Sequence, residues 1–241
     1  MGLSHHERGT MQLTLFGDAI HALESRCSMS RRMVFRLGLL APFILVFTVI
    51  LGGALRPGYS HVSDTMSELF SPGSPNRLLL SAFYTLYGIS ISVFGFGLLQ
   101  FVQDRGEFKT IGKTAAMAFI SVGVLNILTA TVFPQDAWGS FPTFPGTMHM
   151  ILGGVVSLLS ILYTVLFGIW VQRLGFAKFF TTYSIATVIG AVIAAGWFVA
   201  SYGSALMGIS ERVAALIGFQ WTVIFAGILL NHCADATRES C

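Results

Sequence analysis

Charge is what this chain has least of. Only 10% of its 241 residues are Asp, Glu, Lys or Arg, against roughly 25% in soluble domains. With 54% hydrophobic residues and a mean hydropathy of +0.74, that deficit excludes an ordinary water-soluble domain and points to lipid as the main solvent. The net charge of +3 is small, and no basic stretch interleaved with aromatics is present, which excludes nucleic acid as a partner. Cysteine is equally sparse. Cys27, Cys233 and Cys241 show neither CxxC nor paired metal spacing, and are expected to remain reduced thiols on the cytoplasmic side. There is no HExxH or HxxxH pair, no G-x-S-x-G elbow and no internal repeat of the kind inverted-repeat transporters carry. The first apolar run starts only at Met33, too far along for an ordinary signal peptide, and His6 stands where a myristoylation signal needs Ser or Thr.

What is present is six long apolar runs, at about 34–55, 78–102, 113–133, 148–171, 179–202 and 211–231. Each approaches or exceeds the ~20 residues that cross ~30 Å of hydrocarbon as a helix. None alternates as a strand would; the stretch from Phe43 to Leu51 is apolar on every side. The expected fold is an all-α polytopic bundle of six transmembrane helices. Residues 1–32 read as a cytoplasmic N-terminal tail with a weak amphipathic stretch around Leu13–Leu23, 33–232 as the membrane domain, and 233–241 as a cytoplasmic C-terminal tail.

Arginine and lysine set the orientation. With the N-terminus inside, 11 of the 14 fall in inner segments, leaving only Arg56, Arg77 and Arg212 outside. The positive-inside rule then places both termini in the cytoplasm of a plasma-membrane protein. Small residues four apart, Gly88/Ser92, Gly153/Ser157 and Gly190/Ala194, allow close helix approach, within the chain or in a homodimer.

The unusual polar residues gather in the outer loops. In the first, 61–70 is expected to form a short interfacial helix closed by Ser71-Pro72-Gly73, with His61, Asp64 and Glu68 on one face and Val62, Met66, Leu69 and Phe70 on the other. The second loop carries Asp136 and ends near His149; the third leads to Ser210, a plausible N-cap, with Glu211 and Arg212. Spans two, four and six all start at this side, so their positive dipole ends meet there.

Helix N-termini with Arg56, Arg77 and Arg212 suit an anion, with Ser60, His61 and Glu211 as further binding candidates. Asp64, Glu68, Asp136 and His149 are the candidates for orienting a ligand or for acid–base chemistry. Against this stands a purely structural use, in which the four acids and three arginines pair to hold loops on the bundle. No cofactor is expected. Zinc at His61, Asp136 and His149 has only weak support from spacing, and a serine hydrolase built on Ser60, Ser63 or Ser67 with His149 and Asp136 lacks its motif.

The string Arg56-Pro-Gly-Tyr-Ser, then Ser63-Asp64, Ser67-Glu68-Leu69 and Gly73-Ser74-Pro75-Asn76, resembles the opening signature of the family called domain of unknown function 998. Phe133-Pro-Gln-Asp136, His149 and Gly208-Ile-Ser-Glu-Arg-Val213 followed by Trp221 fit the same pattern, over roughly residues 34–231. The resemblance implies a prokaryotic six-span membrane protein and no established activity. A second similarity, resting on Ser63-Asp64 and His149 alone, is to the Frag1/DRAM/Sfk1 group, which implies a link to lipid remodelling and membrane lipid organisation. The functional expectation is an outward-facing polar site that binds or processes a lipid or other amphiphile with an anionic head. The alternatives are a non-enzymatic accessory membrane protein and a small transporter. Span centres offering mainly Ser, Thr, Asn126 and Gly count against proton-coupled transport.

Overall fold

The computed structural model describes residues 29–105, 108–175 and 179–238. Expectations for residues 1–28, among them the amphipathic stretch, and for Cys241 lie outside the described residues. Six long helices form: α1 (Met29–Leu55), α2 (Arg77–Arg105), α3 (Lys109–Thr131), α4 (Phe144–Arg173), α5 (Phe179–Ala200) and α6 (Met207–Arg238). No strand occurs among the described residues. All six helices are long and apolar enough to cross a membrane. Most outrun the apolar runs, because helical hydrogen bonding continues through polar turns that the hydropathy pattern leaves out.

Each helix packs on the next in the chain, and α1 packs on α6, so the six close into a ring. Aromatic side chains fill its centre. Phe94, Phe119, Phe167, Phe180, Trp221 and Phe225 are at most 1% exposed, and rings touch across α2, α3, α4, α5 and α6, as in Phe94–Phe119 at 5.4 Å and Phe167–Phe225 at 4.8 Å. The outside is apolar too. The spans of α4 and α5 have mean hydropathies of 2.3 and 1.9, yet only 17% of each is buried inside the protein. Such a surface needs hydrocarbon around it.

Small residues do their work unevenly. Gly88 and Ser92 of α2 sit against Gly123 of α3, where a Cβ on Gly88 would lie 2.9 Å from the Gly123 carbonyl oxygen. Gly153 on α4 has nothing within 4 Å of the position of a Cβ. One end of the ring is basic: Arg31 pairs with Asp104, Arg105 meets His232, and Arg32 donates to the Cys233 carbonyl at 3.0 Å. Cys233, buried beside them, is disulfide-bonded, which corrects the expectation of a reduced thiol there.

Candidate functional site

The loops joining α1 to α2, α3 to α4 and α5 to α6 form a cap at the opposite end. The α1–α2 loop departs from the expected helix over 61–70. Only Ser67–Phe70 is helical, as a four-residue 3-10 turn. The shared polar face does not form either: Glu68 is 5% exposed while His61 is exposed. The reason is a reciprocal cap. Glu68 N–H donates to Thr65 Oγ1 at 3.2 Å, and Thr65 N–H donates to the Glu68 carboxylate at 3.1 Å. This Thr-x-x-Glu box turns Glu68 inward and starts the turn at Ser67. Burial raises the Glu68 carboxyl above its usual range, against the pull of the Thr65 hydrogen bond.

Upstream, Asp64 closes a second turn, accepting from Ser60 N–H at 3.0 Å and from Ser63 Oγ at 2.9 Å. Arg56 donates to the Glu68 carbonyl at 3.0 Å. Arg212, from the start of α6, reaches furthest. Its Nη1 donates to the carbonyls of Asp64 and Gly208, both at 2.8 Å, while Nη2 donates to Tyr59 Oη and to His61 Nδ1, the latter at 3.2 Å. The Tyr59 phenol is pushed up to about 12 by burial, in spite of the arginine. His61 is lowered, first by desolvation and then by the Arg212 charge. Because Arg212 only donates, His61 Nδ1 accepts and Nε2 carries the ring proton.

The loop can lie this close to α6 because residue 208 is glycine: a Cβ there would overlap the Asp64 carbonyl oxygen. Ile209 N–H, one of the first-turn donors without a helical partner, donates to the Val62 carbonyl at 2.9 Å. Ser210 is not the N-cap expected. It lies inside the helix, fully buried, and its hydroxyl donates to the Met207 carbonyl at 2.9 Å. The α5–α6 connection is held instead by Ser204, which takes the Leu206 N–H on its hydroxyl and the Met207 N–H on its carbonyl.

Asp136 belongs to the start of α4. Its carboxylate takes Thr143 N–H at 2.8 Å and Thr143 Oγ1 at 2.6 Å, while Thr143 Oγ1 accepts from Gly146 N–H at 3.2 Å as the helix N-cap. The Thr143 hydroxyl and amide hold the Asp136 carboxyl below its ordinary range. Among the described residues no ion pair joins the four acids and three arginines at this end, and the Arg77 side chain forms no hydrogen bond. The mutual salt bridges weighed from the sequence are replaced by charge-assisted bonds to loop backbone.

Three side chains do something else. His149 Nδ1 lies 2.9 Å from the Phe133 carbonyl and 3.3 Å from that of Thr129. Both can only accept, so Nδ1 carries the proton. His149 Nε2 is 3.2 Å from Ser67 Oγ, and Ser67 Oγ is 3.3 Å from Glu211 Oε1. Glu211 Oε2 accepts from Met66 N–H. This chain borders a cavity of ≈ 50 Å³ lined also by Leu45, Phe70, Tyr84, Thr129 and Ala130. Tyr84 is committed to Asn126 at 2.7 Å.

The cap thus brings Glu211 and His149 together through Ser67. It places Arg56, Asp64, Glu68 and Asp136 in the loop framework, Arg212 and His61 in a latch, and Ser60 in a turn. Among the described residues no group of three or more His, Cys, Asp and Glu side chains is arranged to hold a metal ion. Sequence reasoning gave Tyr59, Thr65, Thr143 and Gly208 no role. The Thr65-x-x-Glu68 box and the Thr-Phe-Pro-Gly start of α4 were readable signals for two of them.

A ring of six apolar helices with a polar cap defines a multi-pass membrane protein. The chain matches the family described as Protein of unknown function (DUF998) over residues 39–228, and it belongs to that family. No curated protein and no solved structure matches it.

Proposed function

We propose that the chain is a multi-pass plasma-membrane protein with cytoplasmic termini, whose outward cap receives the polar head of a membrane lipid or other amphiphile. The supporting observation is the cavity. It sits where a lipid-immersed bundle meets its loops, and it has two ionisable walls, His149 and Glu211, and two apolar ones, Leu45 and Phe70. At ≈ 50 Å³ it has room for a few water-sized groups, the scale of a head-group fragment. Buried ionisable groups at a membrane edge are costly and are retained for function by default. Arg56 and Arg77 keep guanidinium donors for an anionic head, whereas Arg212 serves the loop.

Native mass spectrometry of the detergent-solubilised protein tests this. The wild type is expected to carry a lipid-mass adduct. Ala130→Val, which adds two methyl groups to the cavity wall, is expected to lose it while melting within a few degrees of wild type. A wild type without adduct, or equal adducts on both proteins, rejects the reading.

The non-enzymatic accessory reading draws on a different observation: Asp64, Glu68, Asp136, Arg56 and Arg212 all satisfy loop backbone. It expects alanine at Asp136 or His149 to lower melting temperature and expression and to leave lipid content alone.

A further inference from the structure

Nucleophilic serine chemistry needs a hydroxyl, a base within hydrogen-bond reach and a group that orients the base. All three meet in the cavity. Ser67 Oγ is 3.2 Å from His149 Nε2. The opposite ring nitrogen is fixed by the Phe133 and Thr129 carbonyls at 2.9 and 3.3 Å, which takes the place a carboxylate fills in familiar triads. The Nε2 lone pair therefore faces the serine. Ser67 is itself held from two sides, by the Thr65–Glu68 cap and by Glu211 on Met66 N–H.

Hydrogen counting gives Glu211 a part. Ser67 has one proton, and both Glu211 Oε1 and His149 Nε2 lie within reach of it. Both contacts are satisfied together only if one partner donates. With the extra proton on Glu211, its O–H points at Ser67 Oγ and the Ser67 O–H points at His149. Glu211 is then a positioning residue, aiming the hydroxyl at its base.

We propose that Ser67 is a nucleophile with His149 as its general base, acting on an ester-linked amphiphile. The proposal rests on the head-group reading above and names its chemistry. An ester is the group that lies at the boundary between polar head and acyl chain, and the cavity lining combines polar side chains (Ser67, His149, Glu211) with apolar ones (Leu45, Phe70, Ala130). Ser67 Oγ bonds to the ester carbonyl carbon as its proton passes to His149 Nε2. Collapse breaks the bond to the leaving alcohol, which takes that proton. Water, activated by His149, then cleaves the acyl–Ser67 ester, releasing the carboxylic acid and returning the proton to Ser67.

The test is covalent labelling of the full chain in membranes with an alkyl fluorophosphonate, which forms an Oγ–P bond and expels fluoride. Peptide mapping is expected to place the label on Ser67. Ser67→Ala abolishes it and Ser63→Ala leaves it unchanged. His149→Gln slows it about 100-fold, the scale of a lost general base. Glu211→Ala slows it at least tenfold and Glu211→Gln restores most of the rate, since the amide still donates to Ser67 while its oxygen accepts from Met66. Should His149→Gln unfold, Ser67→Cys supplies the second measurement: its alkylation by iodoacetamide is expected to outpace that of Ser63→Cys at least tenfold. An unlabelled wild type, a label elsewhere, or a rate indifferent to His149 overturns the proposal. If lipid adducts persist in an unlabelled wild type, the nucleophile falls and the binding site stands.

Discussion

Arg212 Nη1 donates to the main-chain carbonyl of Asp64 at 2.8 Å across 148 residues of sequence. It ties the first loop to the sixth helix. Arg212→Ala leaves that carbonyl and Tyr59 Oη without their donor. Each charge-assisted bond contributes about 1.5–3 kcal/mol, so a loss of about 3–6 kcal/mol is expected for the two, read as a melting temperature lower by several degrees or more. Arg212→Lys should recover less than half, because an ammonium cannot fork between two carbonyls and a phenol. A melting temperature within one degree of wild type for the alanine variant would show that the latch is not a support.

Two glycines separate packing from propensity. Gly208→Ala puts a methyl group into the Asp64 carbonyl, a backbone atom that cannot rotate away, and should cost about 2 kcal/mol or more. Gly153→Ala meets nothing within 4 Å and should be neutral or stabilising by up to about 1 kcal/mol, since alanine is the better helix former. Thermal melts of the pair in one detergent check this, and equal effects would contradict it.

At the start of α4, Thr143→Ala removes the N-cap and one Asp136 partner together, with an expected cost of about 1 kcal/mol. The Asp136 carboxyl is held low in the folded state. Its contribution is therefore present above the ordinary carboxylate range and is lost as pH falls through it. Thr143→Ala should shrink that acid-side loss. An unchanged acid limb in the melting profile would show that Thr143 does not set the Asp136 pKa.

His61 acts in the same direction, but near neutrality rather than in acid. Its folded-state pKa lies below the ordinary value of about 6.5. The unfolded chain takes up the proton first as pH falls, so stability declines on acidification below about 6.5 and is unaffected above about 7.5. His61→Gln should flatten that window. Parallel slopes for wild type and variant between pH 5.5 and 7.5 would remove His61 from the latch.

The spans were legible because residues such as Phe43–Leu51 are apolar on all sides, a pattern that only lipid or a deep core accepts. The cap was legible only as a collection of polar residues. A period-3.6 reading of 61–70 put His61 and Glu68 on one face. The Thr65–Glu68 box overrode it, because two backbone donors satisfied at once outweigh a weak amphipathic preference in so short a segment. Ser67, His149 and Glu211 stand 82 and 62 positions apart in sequence, and no local spacing announces their meeting. Gly208 reads as an ordinary helix glycine until the Asp64 carbonyl is seen against it.

The central claim is that the cap encloses a site for an amphiphile head beside Ser67, His149 and Glu211. A high-resolution density map of the wild-type protein in lipid nanodiscs tests it most directly. The account predicts continuous density that enters the cavity, with polar atoms within hydrogen-bond distance of Ser67 or Glu211, and that trails an acyl chain along the helices. A cavity holding ordered water alone, with lipid confined to the outer surface of the ring, would contradict it.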